Sequence, residues 1–185
     1  MPHLESEAST MTSELSFPSL WEAAETFPAF LQRVESQPTL WDGVYRTASV
    51  PGWAAEAFAG LPGGLRLLVL NADWCMDSAN TVPLMARLSE SVPGVELRLL
   101  ERDRYPDVMD RYLTGGSRSI PIAILLDRDF RELGRWGPRP APLQAWVLAN
   151  RKTMPKEGII RGERRWYAMD KGETTFRELL AVAKP

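Results

Sequence analysis

The run Leu65-Arg-Leu-Leu-Val-Leu-Asn71 constrains the fold more than any other stretch of this chain. It follows the turn Pro62-Gly-Gly64 and precedes the helically spaced apolar residues Val82, Leu84, Met85 and Leu88, so it reads as a buried strand feeding a helix. Pro93-Gly94 closes that helix, and Val95-Glu-Leu-Arg-Leu-Leu100 alternates with the period of two expected of a second strand. Pro106 to Leu113 reads as a short helix, Gly115-Gly116 as a turn and Ile120 to Leu126 as a third strand. Asp127-Arg-Asp129 closes a hairpin into a fourth, Phe130 to Trp136, and a helix over 140–151 follows. Strands joined by a helix are expected to be parallel with a right-handed crossover, and the hairpin pair antiparallel. The pattern therefore predicts an α/β fold, a mixed four-stranded sheet flanked by helices on both faces.

The flanks read as helical. Ser19-Leu-Trp-Glu22 has the spacing of a capping box, and Trp21, Ala24, Phe27, Phe30, Leu31 and Val34 keep helical spacing, with Pro28 dividing the segment. Pro38, Pro51 and Pro62 punctuate further short helices, whose aromatics Trp41, Tyr45, Trp53 and Phe58 are read as core. Residues 154–170 show no clear periodicity, and the cluster Arg161 to Arg165 reads as a solvated face. Glu173 to Ala183 reads as a closing amphipathic helix. The expected organisation is one domain: a disordered leader over 1–16, a helical extension over 17–63, the sheet core over 65–152 and a C-terminal extension over 153–185.

Composition removes several kinds of chemistry. The 185 residues include one cysteine and one histidine, which excludes an internal disulfide, a four-ligand Cys/His zinc site and, with His3 in the polar leader, a Ser-His-Asp triad. A net charge of −2 argues against a nucleic-acid partner. Gly60 to Gly64 lacks the Gly-Lys-Ser/Thr ending of a phosphate loop, and no metal-ligand set appears, so neither cofactor nor metal is implied. The leader carries Glu5, Glu7 and Glu14 without a basic start and apolar stretch, and no window is long enough to span a membrane. The expectation is a cytoplasmic protein without membrane contact. Oligomeric state is not legible.

Cys75 stands between the first strand and its helix, where the strand ends of an open sheet are exposed and helix-start amides favour a thiolate. Ser78 is placed to hydrogen-bond the sulfur. Asp77 opposes thiolate formation, so its side chain is expected to point to solvent.

On these residues the sequence resembles the thioredoxin family over roughly residues 65–152. The resemblance rests on Ala72-Asp-Trp-Cys75 after a strand, Pro83, Asp103-Arg-Tyr-Pro106, Ser119-Ile-Pro121 heading the third strand, and Gly134 and Gly137. The helical extension and the Trp-Cys-x-Asp-Ser form resemble a bacterial branch of thioredoxin-like proteins. It implies a thioredoxin-like fold in which Pro121 forms a cis-proline turn that shapes a groove against the thiol and keeps metal from it, with Trp74 a lid against water. The pattern is incomplete. Ser78 replaces the second cysteine, and Val69 stands where the family has a buried aspartate, so the chain has no resolving thiol.

The expected function is monothiol thiol-disulfide exchange, with Cys75 as nucleophile and a protein or small-molecule thiol or disulfide, such as glutathione or a bacterial equivalent, as partner. Backbone at Ile120 would pair with an extended substrate, and Arg118 and Arg139 would bind a carboxylate. Two alternatives stand beside it: a redox-inert, chaperone-like binding module with Cys75 as a small packing residue, and a peroxide-sensing thiol.

Overall fold

In the computed structural model, which describes residues 16–184, the run from Leu65 becomes one of the two inner strands of a four-stranded sheet. The strands are β1 (Leu65–Asn71), β2 (Val95–Glu101), β3 (Ile122–Leu126) and β4 (Glu132–Trp136), in the spatial order β2-β1-β3-β4. Four helices precede the sheet: α1 (Phe17–Ala23), α2 (Phe27–Gln32), α3 (Pro38–Thr47) and α4 (Gly52–Ala59). Helices α5 (Met76–Ser91) and α6 (Pro106–Met109) join the first three strands, and α7 (Ala141–Asn150), α8 (Lys156–Asp170) and α9 (Glu173–Ala183) close the chain.

The expected parallel crossover holds for β1 and β2, and β3 pairs antiparallel with β4. The second helical connection departs from expectation, because β3 runs antiparallel to β1. The helix of this connection, the 4 residues of α6, rises only about 6 Å against roughly 23 Å for a strand of 7 residues, and it does not return the chain along the sheet. The connection stays at one end, and β3 starts where β2 finishes.

Alternate residues of β1 face two cores. Leu65, Leu67 and Val69 pack with Phe27, Phe30, Trp41, Phe58, Met85, Phe176 and Leu179 from α2, α3, α4, α5 and α9. Leu68, Leu70 and Ala72 pack with Leu20, Trp21, Val108 and Met109 from α1 and α6 on the opposite face. Helices thus cover both faces, as the sequence predicts.

Three local readings change. The first cap is Ser16, whose hydroxyl accepts the Ser19 amide at 3.3 Å, so α1 starts at Phe17, with Pro18 in its first turn, ahead of the expected Ser19–Glu22 box. The 154–170 segment is the helix α8. Its inward stripe includes the polar residues Glu163 and Tyr167, both buried, and these break the apolar rhythm. The expected leader falls outside the described residues apart from Ser16. Pro28 sits in the first turn of α2, behind its Thr26 cap, and the chain does divide there.

The extension also meets the sheet's edge. Between α1 and α2, the Glu25 amide donates to the Leu99 carbonyl at 3.0 Å and the Leu99 amide to the Glu25 carbonyl at 2.9 Å, along the outer side of β2. Among the described residues no helix is long and apolar enough to cross a membrane.

Candidate functional site

Cys75 is the N-cap of the 16-residue helix α5. Its backbone is extended, so its Sγ turns back over the open amides of the first turn and accepts the Ser78 N–H at 3.4 Å. The thiol donates in turn to the Ile120 carbonyl at 3.4 Å. Ile120 precedes Pro121 through a cis peptide bond, and the strand β3 begins only at Ile122. Gly137 abuts this turn. With φ at 117°, it lies where an added Cβ would come within 2.1 Å of the Pro121 oxygen.

The loop before Cys75 is held by the helical extension. Asp73 accepts the amides of Glu35 and Ser36, each at 3.0 Å, through one carboxylate oxygen. Its carbonyl accepts the indole N–H of the fully buried Trp41 at 2.8 Å. Gln37 donates its side-chain amide to the Trp74 carbonyl at 2.9 Å. The α2–α3 connection thereby fixes both residues that lead into the cysteine.

Asp77 overturns the expectation of exposure. The carboxyl is buried, with one oxygen accepting the Tyr167 hydroxyl at 2.8 Å and the other 2.7 Å from Arg139 Nη2. Arg139 Nε lies 3.1 Å from the buried Glu163 carboxylate, and its Nη1 donates to Gln144 at 3.0 Å. Two buried carboxyls thus share one guanidinium. Burial pushes Asp77 upward against the pull of Arg139 and Tyr167, and burial together with repulsion from Asp77 pushes Glu163 upward. The physical reason for the inward turn is α8, a helix without a clear apolar period in the sequence, which supplies Tyr167 and Glu163 on one stripe.

Cys75 as a whole is 8% exposed. Burial pushes the Cys75 thiol above the ordinary range, the hydrogen bond from the Ser78 amide pulls it down, and the Asp77 carboxylate pushes it up again. The helix-start effect expected to favour a thiolate is outweighed by desolvation.

A pocket of about 270 Å³ opens over the thiol, and Trp74, Arg102, Arg118, Ser119, Ile120 and Arg139 are among its walls. Trp74 stands at its rim, 47% exposed, with the Arg102 guanidinium 4.8 Å from its ring. Arg118 grips Asp110 with two hydrogen bonds, of 2.7 and 2.8 Å. Cys75, Ser78, Trp74, Asp77, Pro121, Ile120, Arg118 and Arg139 all gather around the turn before β3 and the start of α5. Ser78 presents its amide to the sulfur, while its hydroxyl, also buried, makes no hydrogen bond within normal limits. Arg102, Tyr167 and Glu163 were not expected. Arg102 follows β2 directly, and a tally of charged residues at strand ends would have found it; Tyr167 and Glu163 needed the helix α8 to be seen first.

A sheet of this order, whose first strand delivers a cysteine to the head of a long helix facing a cis-proline turn, defines a thioredoxin-type fold. The family described as Thioredoxin matches residues 24–155, and the chain belongs to that family. Its match starts inside the helical extension. A crystal structure of a protein of unknown function from Pseudomonas aeruginosa is similar in fold, with a TM-score of 0.71 and 22% identity over 90% of this chain and 96% of that one. An HIV epitope-scaffold is similar to the same degree, with a TM-score of 0.70 and 21% identity, again over 90% of this chain and 96% of that one. A comparison with curated proteins finds no match.

Proposed function

We propose that the protein performs single-thiol disulfide exchange through Cys75 with a small anionic disulfide, the glutathione type being the simplest. The observation that carries this reading is the seat of the sulfur, between the Ser78 amide and the Ile120 carbonyl before Pro121, at the floor of a pocket walled by Arg102, Arg118 and Arg139. The proton of Cys75 leaves to water, and the thiolate attacks one sulfur of the disulfide. A Cys75–sulfur bond forms as the sulfur–sulfur bond breaks, and the departing thiolate takes up a proton. A second small thiol, as its thiolate, then attacks the sulfur joined to Cys75. A new small disulfide forms as the Cys75–sulfur bond breaks, the Cys75 thiolate takes up a proton, and the protein is unchanged over the cycle. The second sulfur must come from another molecule because Ser78 cannot supply it. Such a cycle suits a reducing compartment, in keeping with the cytoplasmic expectation.

Burial raises the thiol, so exchange is expected to quicken as the pH rises. It is tested by incubating the protein with oxidised glutathione and measuring its intact mass. One glutathionyl group on the wild type, none on Cys75→Ser, and release of the adduct by reduced glutathione are expected. A wild-type chain that stays unmodified while its thiol remains alkylatable overturns the reading.

A second reading is favoured by one specific observation, the burial of Cys75 with its thiol against the Ile120 carbonyl. In it the groove is a redox-inert binding surface and Cys75 a packing residue. Cys75→Ser would then leave partner recovery unchanged.

A further inference from the structure

Away from the thiol, a cavity of about 910 Å³ lies between α3, α5 and α8. Its volume falls within the range of small-molecule sites. Leu40 and Val44 of α3 and Leu84 of α5 give it an apolar floor, and Arg164 and Lys171 are the charged residues that line it. No carboxylate does. Neither Arg164 nor Lys171 makes an ion pair or a side-chain hydrogen bond among the described residues, although most arginines around the thiol are paired. In a chain of net charge −2, this is a local concentration of uncommitted positive charge beside apolar surface.

The cationic end is also fixed in place. Lys171 ends α8 in the left-handed conformation, with φ at 52° and its amide donating to the Tyr167 carbonyl at 3.0 Å. Gly172 follows at φ 86°, so close to Leu84 that an added Cβ would come within 2.7 Å of that side chain. The turn is seated on the cavity floor, which holds Lys171 next to the apolar surface.

We propose that this cleft binds an amphipathic anion, an apolar chain ending in a carboxylate, with the chain on Leu40, Val44 and Leu84 and the carboxylate against Arg164 and Lys171. Charge complementarity selects the head and the apolar floor selects the tail. The site is separate from the thiol pocket and does not depend on exchange at Cys75.

The test is calorimetric titration of the full chain with sodium decanoate, decyltrimethylammonium and inorganic phosphate, and amide chemical-shift mapping of the decanoate complex. Saturable one-to-one binding of decanoate is expected, with shifts at Leu40, Asn80 and Lys171. Binding at least tenfold weaker is expected for the cation and for phosphate alone. The pair of substitutions Arg164→Ala and Lys171→Asn should weaken decanoate at least tenfold. Both positions are exposed, and asparagine tolerates the left-handed backbone, so the circular dichroism should not change. The proposal is overturned by no saturable decanoate binding, by equal binding of the cation or phosphate, by a double variant that binds as well as wild type, or by shifts confined to the thiol pocket.

Discussion

At Cys75 two effects compete, and their magnitudes decide the chemistry. One helix terminus favours a nearby anion by about 0.3–1 kcal/mol when exposed, whereas burial can shift a titrating group by several pK units. Desolvation wins, and the neighbouring Asp77 carboxylate works in the same direction. The pH dependence of iodoacetamide alkylation should therefore have its midpoint above the ordinary thiol range, and Asp77→Asn should move it down. A midpoint unchanged by that substitution would show that Asp77 carries no charge the sulfur senses. The linkage sign follows. A thiol whose folded pKa is raised contributes stability that is fully present below the ordinary thiol range and is lost as pH rises through the folded value. Cys75→Ala should lack this alkaline loss in urea titrations. At the shared guanidinium the stakes are larger. Arg139→Met strands Asp77 and Glu163 without their cation and should cost about 3–5 kcal/mol in denaturant unfolding. Tyr167→Phe removes one hydrogen bond from a buried carboxyl and should cost about 1–3 kcal/mol.

Among the elements, the α2–α3 connection and the turn before β3 set the cysteine's position from opposite sides. Asp73→Ala removes the acceptor of two backbone amides and should cost about 1–2 kcal/mol. Faster hydrogen exchange should appear at Glu35 and Ser36, and exchange unchanged there would mean the clamp holds nothing. Gly137→Ala puts a methyl group into the Pro121 carbonyl at a backbone angle that disfavours side chains, and should cost at least about 2 kcal/mol by the same measurement. How far the sequence could be read follows from the same elements. β1, β2, α5 and α9 are legible because their buried faces are apolar and their periods regular. α8 is not, because its buried stripe carries Glu163 and Tyr167, whose partners Arg139 and Asp77 lie far off along the chain. The inward turn of Asp77 was hidden for the same reason: a carboxylate beside a thiol belongs in water unless a distant arginine and tyrosine receive it. Cys75 and Ser78 are legible by their position at a helix start, a local feature, whereas Pro121 is legible only through the resemblance of Ser119-Ile-Pro121 to the family's cis-proline turn.

For the molecule as a whole, the helices outside the sheet are part of its core. Phe27, Phe30, Trp41 and Phe58 from the first helices and Phe176 and Leu179 from the last pack on one face of the sheet. Removing either end would uncover apolar surface. The bridge between Glu25 and Leu99 acquires a meaning here that neither residue has alone. An outer strand with free amides and carbonyls is a template on which another chain can lay its own strand. By lending Glu25 to β2, the extension occupies part of that template with the protein's own backbone, and the Arg98 side chain donates to the Ala24 carbonyl beside it at 3.3 Å. The segment between α1 and α2 thus covers this stretch of the sheet's edge, leaving fewer of its amides and carbonyls open to another strand.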